Sequence, residues 1–296
     1  MSNPTEDGSR ATTVLPCGHE VLDVNQVHYC EYIALEALLQ LQEPFAGSAR
    51  ERDIGHHDER QFIVVHQVCE LIFSQIIFEL HTAIERLQDR DFLCAVARID
   101  RATHWVKLAS HVTKLLDTMT PVDFYMFRAS LFPASGAESE AFRKIEVLAG
   151  MQAYSPYMAT EHGTYTYRQS LDRVLGGGAH DMKSRWWTIE IERLIGQPSI
   201  ATVFAGLLQH VPLSVIYTED RFLSLRTLAD ALYRFEIAFL GLRTAHVKVT
   251  ERQIGEDKGG ANTMGVKYLK AVAATARFFP ALWDYKQRAA VAPPTP

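Results

Sequence analysis

One histidine stands where helical periodicity calls for an apolar residue, a second at the edge of an apolar stripe, and one arginine in an apolar, aromatic setting. Leu225, Leu228, Leu232, Phe235, Phe239 and Leu242 recur at spacings of three and four, and the next position in that series is His246. An imidazole placed there either satisfies itself by hydrogen bonding in the core or offers a ring nitrogen to something inside the fold. Neutral imidazole is the commonest protein ligand for haem iron, and an apolar helix face with one inward histidine suits an axial donor. No C-x-x-C-H accompanies it, so covalent haem attachment has no support. The second histidine lies in DERQFIVVHQVCELIFSQIIFEL, whose stripe is Phe62, Val65, Cys69, Ile72, Phe73, Ile76 and Leu80. Phe62 and His66 are four apart and share a helix face at the edge of that stripe. A hydrogen-bonded structural histidine is the alternative there too.

The arginine is Arg128, within LDTMTPVDFYMFRASLFPASG. A guanidinium in so apolar and aromatic a setting needs a counter-anion. Its fork matches a carboxylate held through two N–H groups. That carboxylate belongs either to a ligand or to a neighbour such as Asp123 or Glu138.

Other clusters carry less. His56-His57-Asp58-Glu59 has the right residue types for a metal, but consecutive residues do not converge on one helix face. Asp58 is expected to cap the helix that follows. His104 and His111 fit a solvated helix face, and Trp105, Trp186, Trp187 and Trp283 fit the core. Gly176-Gly177-Gly178 lacks the Lys-Ser/Thr of a phosphate loop. Nothing matches G-x-S-x-G or another hydrolase spacing.

The elements that must position these groups read as helices, over about 28–42, 59–88, 90–117, 121–130, 138–150, 199–209, 219–249 and 263–285. No period-two pattern of useful length and no repeat interrupts them. The fold class expected is all-α, one helical domain at 26–286 around an interior site, with loose ends at 1–25 and 287–296. The Tyr- and Gly-rich stretch 155–185 is expected to hold short helices and loops. A formal charge of −5 gives no reason to expect nucleic acid as a partner. No run of 18 apolar residues indicates a membrane span, and MSNPTEDGSRATT lacks a signal-peptide layout, so a cytoplasmic location is expected. Cys17, Cys30, Cys69 and Cys94 are scattered without a C-x-x-C and read as reduced thiols.

Four segments, in order and in register, carry a resemblance. They are Tyr29-Cys30-Glu31-Tyr32-Ile33 followed by LEALLQLQEP; HDERQFIVVHQVCEL; TMTPVDFYMFRASLFPASGAESEAFRKIE; and LRTAHVKVTERQIGEDKGGANTMGVKYLKA. Together, from about residue 26 to 285, they resemble the tryptophan 2,3-dioxygenase family.

The resemblance implies a haem b whose iron is held by His246. It implies His66 on the opposite side, near the indole nitrogen of a tryptophan-like substrate, with Phe62 against the ring. Arg128 would hold the substrate carboxylate, with Phe124 one turn earlier against the indole and Ser135 near the haem edge. Tyr29, Tyr32 and Ile33 would close the pocket of a neighbouring subunit, so a homo-oligomer, in the family a tetramer, is implied. Dioxygen is the second substrate. The family reaction places both oxygen atoms in the product, N-formylkynurenine.

The chain also departs from the family. The loop Gly259-Gly260-Ala261-Asn262-Thr263-Met264-Gly265 puts Gly260 where the family has a threonine that helps bind the substrate ammonium. Ala137-Glu138 replace Phe-Gln, and Ile72 and Ser74 replace Trp and Lys. The volume gained at Gly260 suits a β-substituted tryptophan, and the same scaffold admits a one-oxygen, 2-oxindole outcome. Against this stand an ordinary tryptophan 2,3-dioxygenase, with Asn262 or Thr263 taking the ammonium, a non-catalytic haem sensor, and a haem-free helical scaffold.

Overall fold

A computed structural model describes residues 27–44, 57–131, 134, 136, 139–151, 187–255, 257 and 265–291. Among these residues there is no strand, and the expected all-α class holds. The chain divides into two compact units, with the boundary after Pro44.

In the first unit the helix expected at 28–42 is two short ones, α1 (Tyr29–Tyr32) and α2 (Leu35–Leu39). The break is at Ala34, which takes a left-handed φ of 49°. Such a conformation costs a residue with a Cβ about 1–2 kcal/mol. Tyr29 and Tyr32 are 73% and 81% exposed, two large aromatics turned to solvent. Cys30 is disulfide-bonded, which corrects the expectation of four reduced thiols, whereas Cys69 and Cys94 are free.

The second unit is built on three long helices, α3 (His57–Gln88), α4 (Phe92–Lys114) and, after further elements, α10 (Leu223–Ile254). Between them lie α5 (Pro121–Arg128), α6 (Glu140–Glu146), α7 (Trp187–Leu194), α8 (Ile200–His210) and α9 (Leu213–Thr218). Beyond α10 come α11 (Val266–Thr275) and α12 (Pro280–Val291). The stripes predicted for α3 and α10 are what the core is made of. Ile72, Phe73, Ile76 and Leu80 of the first and Leu225 through Leu242 of the second are buried at every predicted position. By length and composition α3 is apolar enough to cross a membrane. Its apolar face packs into this core, and its buried Glu79 takes Gln75 at 2.9 Å and Arg101 at 3.3 Å.

Helix ends follow side-chain chemistry. Thr120 caps α5, accepting from the Asp123 amide at 3.2 Å, and Pro121 supplies a first residue with no amide to satisfy. Ser139 and Ser199 cap α6 and α8 in the same way. Asp58 lies inside the first turn of α3 rather than at its cap. The single helix expected at 263–285 is broken between α11 and α12, because Pro280 disfavours helical geometry in the residue before it. The last turns of α12 run to Val291, into the tail expected to be loose. Gly150 permits one close approach. Its φ is +144°, and a Cβ there would collide with the Ala201 side chain, so α8 meets the segment after α6 only through glycine.

The stretch 115–119, between α4 and α5, is held from both sides. Gln61 of α3 donates to the Leu115 carbonyl at 3.0 Å and to Thr118 Oγ1 at 2.9 Å. From the end of α10, Gln253 donates to the carbonyls of Leu116 (3.2 Å) and Met119 (2.9 Å), and Arg252 donates to that of Asp117. These bonds fix where α5 starts and so where its aromatic face points. Gln253 is buried, and Gln253→Ala leaves two carbonyls without that donor. The expected cost is about 2 kcal/mol of stability, read as a lower midpoint in urea denaturation. An unchanged midpoint would mean that Gln61 and Arg252 hold the turn without it.

Candidate functional site

The i, i+4 spacing of Phe62 and His66 brings their rings to 4.1 Å. His66 Nδ1 lies 2.7 Å from the Phe62 carbonyl oxygen. A carbonyl can only accept, so Nδ1 carries the proton, and in the neutral ring Nε2 is left as an acceptor. Burial lowers the His66 pKa against the raising effect of that carbonyl, which favours the neutral form.

Phe62 is one edge of an aromatic wall. It meets Phe124 at 5.9 Å and Phe127 at 5.6 Å between ring centroids, and Phe124 meets Phe127 edge-on at 5.5 Å. These rings, with Val65, Leu116, Met119 and Val249, make a second apolar cluster apart from the main core. It joins α3, the 115–119 turn, α5 and the end of α10, so the held turn positions the wall directly.

His246 lies one step beyond the buried α10 stripe and, unlike the stripe, is exposed by area rather than a core residue. Its pKa is lowered from 6.5 to about 4, first by burial and then by the charges of His66 and Arg143. By area both histidines are accessible to solvent, yet protein crowds each of them enough for desolvation to dominate its titration. Val65, adjacent to His66, and Val249, three residues after His246, belong to the same apolar cluster. No hydrogen bond to a described residue engages the His246 ring. Its lowered pKa favours the neutral imidazole.

Arg128 ends α5 with its side chain 24% exposed. Its guanidinium carbon lies 5.0 Å from the centre of the Tyr125 ring and 5.9 Å from that of Phe124. Among the described residues it pairs with Asp257, Nη1 to Oδ2 at 3.3 Å, rather than with Asp123; Glu138, the other acid expected for it, lies outside the described residues. Asp123 is occupied instead by the hydroxyl of the cap residue Thr120. Tyr125 donates its phenolic proton to the same Asp257 oxygen.

Sequence reasoning also missed a buried ion network beside His246. Glu146 is fully buried between Arg143 (2.8 Å) and Arg243 (2.9 Å). Arg243 stands three residues before His246, over the rings of Phe239 (4.8 Å) and Phe278 (5.1 Å). The network ties α6 to the stretch of α10 that carries His246. Its signal was two arginines and a glutamate at apolar helical positions, which periodicity alone does not pair.

The tryptophan 2,3-dioxygenase family profile matches residues 16–185. Tryptophan 2,3-dioxygenase of Herpetosiphon aurantiacus is 32% identical over 86% of this chain and 95% of its own length. This chain belongs to the tryptophan 2,3-dioxygenase family. The Bacillus cereus enzyme of the same name is 30% identical over 88% of this chain and 92% of its own. The relative from Bdellovibrio bacteriovorus is 40% identical, over 43% of this chain.

Membership of the tryptophan 2,3-dioxygenase family implies haem as cofactor, and the described residues fit one. Among them no three His, Cys, Asp or Glu converge as a metal cage. Haem iron asks for one axial donor and apolar walls, and His246 offers an imidazole with no hydrogen bond to a described residue, one step beyond an apolar stripe. Of the site residues expected from the sequence, Phe62, His66, Phe124, Arg128 and His246 fall in the second unit. Tyr29, Tyr32 and Ile33 fall in the first. Ser135 and Gly260 lie outside the described residues.

Proposed function

We propose that this protein is a haem-dependent oxygenase that inserts oxygen from dioxygen at the 2,3-bond of the indole ring of tryptophan or a close derivative. One observation carries the reading. A histidine whose Nε2 is an acceptor and a histidine whose ring meets no hydrogen bond among the described residues stand on α3 and α10, the two helices that share the aromatic cluster leading to Arg128.

When bound through His246, haem supplies the binding and activation of dioxygen. The residues of the chain do the rest. Phe62 and Phe124, backed by the buried Phe127, provide apolar aromatic surface for an indole. His66 Nε2 accepts a hydrogen bond from the indole N–H and so sets which way the ring faces. Arg128 holds the carboxylate at the far end of the substrate. Two fixed ends and a stacked ring leave little rotational freedom, and this is catalysis by positioning. A sensor needs no carboxylate grip, so Arg128 favours an enzyme over a haem sensor. In the same reading Tyr29, Tyr32 and Ile33 serve the site of a neighbouring copy in a homotetramer, which agrees with two tyrosines turned to solvent.

The test is an absorption spectrum of the purified protein followed by product mass after turnover in labelled dioxygen. A Soret band and a tryptophan product gaining two labelled atoms support the reading. A colourless protein, or no indole product, refutes it.

Gly260 favours a finer version in which the preferred substrate carries a β-substituent. Relative to threonine, glycine leaves room beside the α- and β-carbons. An added buried methyl is worth about 0.8 kcal/mol, or roughly fourfold. β-Methyltryptophan is therefore expected to exceed tryptophan in kcat/KM by about that factor, with Gly260→Thr reversing the order. Equal kcat/KM for the two, unmoved by Gly260→Thr, would leave plain tryptophan as the substrate. A gain of one labelled atom rather than two would identify the 2-oxindole outcome.

A further inference from the structure

Arg128 and Asp257 are 129 residues apart in sequence and form a pair at the foot of the aromatic wall. As a stabilising device the pair is weak, because the Asp257 side chain is 60% exposed and exposed ion pairs contribute little. Its geometry is informative in another way. Both contacts made to Asp257, from Tyr125 and from Arg128, fall on Oδ2. No contact to Oδ1 is made by a described residue, and the side chain is 60% exposed. The Tyr125 hydroxyl and then Arg128 hold the Asp257 carboxyl below its usual range, so it is an anion throughout the neutral region. An exposed carboxylate with one oxygen uncontacted by the described residues thus stands next to the guanidinium.

An α-amino acid carries its carboxylate and its ammonium on neighbouring atoms. An arginine alone attracts any carboxylate. An arginine with an anion at its side repels a simple carboxylate and accepts one that brings its own cation. The Arg128–Asp257 pair has that complementary order of charges.

We propose that Asp257 receives the ammonium group of the substrate through Oδ1 and selects zwitterionic amino acids over indoles that bear a carboxylate alone. This rests on the reading of Arg128 as the carboxylate grip. Tyr125 is then a positioning residue: its hydroxyl holds Oδ2 and leaves Oδ1 to the substrate.

The experiment is calorimetric titration of the haem-loaded full chain with L-tryptophan and with indole-3-propionate, which lacks only the amino group. Wild type is compared with Asp257→Asn, which keeps the shape and removes the charge. The position is exposed, so the variant is expected to fold, and an unchanged Soret band checks that. Tryptophan affinity is expected to fall about tenfold or more, the worth of one charge-assisted hydrogen bond. Indole-3-propionate is expected to bind the variant as well as wild type or better, so the ratio of the two affinities collapses. If tryptophan binds the variant as tightly as wild type or tighter, Asp257 is a competitor for Arg128 and the proposal is overturned. If both ligands weaken alike, Asp257 merely steadies Arg128, and the proposal is overturned as well. A wild type that binds no tryptophan at all would instead overturn the proposed function itself, and so the two failures are told apart.

Discussion

Replacing His246 by alanine is expected to give a folded protein that has lost most of its haem. The fold should survive, because the buried stripe from Leu225 to Leu242 ends one step before His246 and stays intact. The ring itself makes no hydrogen bond to a described residue, so its removal orphans no donor or acceptor there. Haem binding should not survive, because the variant lacks the imidazole proposed to hold the iron, and no cluster of three metal-ligating side chains stands among the described residues to replace it. His66, whose Nδ1 is tied to the Phe62 carbonyl, stands on a different helix. Two controls sharpen the outcome. His66→Ala is expected to keep its haem, since it removes the group that steers substrate. Added imidazole is expected to enter the space left in His246→Ala and restore a Soret band in proportion to its concentration. An alanine variant with wild-type haem content and spectrum would remove His246 from the site.

How much of this was legible in the sequence follows from the range of each interaction. The long helices were readable because their stripes repeat over many turns, and the Phe62–His66 contact was readable because i, i+4 neighbours meet on any helix. His246 was readable as the step that follows a buried series. The break between α11 and α12 was hidden by an apolar run on both sides of Pro280, and α7 and α9 are too short to show a period. The partner of Arg128 was not readable at all. Local acids were the natural candidates, but Asp123 serves the α5 N-terminus, and Asp257 arrives only after α10 has crossed the fold. The buried Arg143–Glu146–Arg243 network was hidden for the same reason. It is paired across helices that are 97 residues apart. The sequence located groups on single helices, whereas the charges that tune them come from tertiary closure.

Arg128→Ala is expected to weaken tryptophan binding severely while leaving the haem spectrum unchanged. Truncating one side of a charge pair formed on binding costs about 2–5 kcal/mol, roughly thirtyfold or more in affinity. Part of that cost comes from what remains. Without the guanidinium, Asp257 is an uncompensated anion facing the substrate carboxylate. The single variant should therefore be worse than the loss of one contact would suggest. Because Asp257 receives the ammonium in this reading, the double variant Arg128→Ala, Asp257→Asn is expected to bind tryptophan no better than Arg128→Ala, and since the two side chains touch, the losses are not additive. Arg128→Lys is expected to fall between wild type and alanine, since it keeps the charge but loses the planar fork. Tryptamine, which has no carboxylate, is expected to be indifferent to Arg128→Ala or to gain from it, because its ammonium then meets Asp257 without a competing cation. If tryptamine bound wild type as tightly as tryptophan does, Arg128 would not be gripping a carboxylate, and its pairing with Asp257 would be structural.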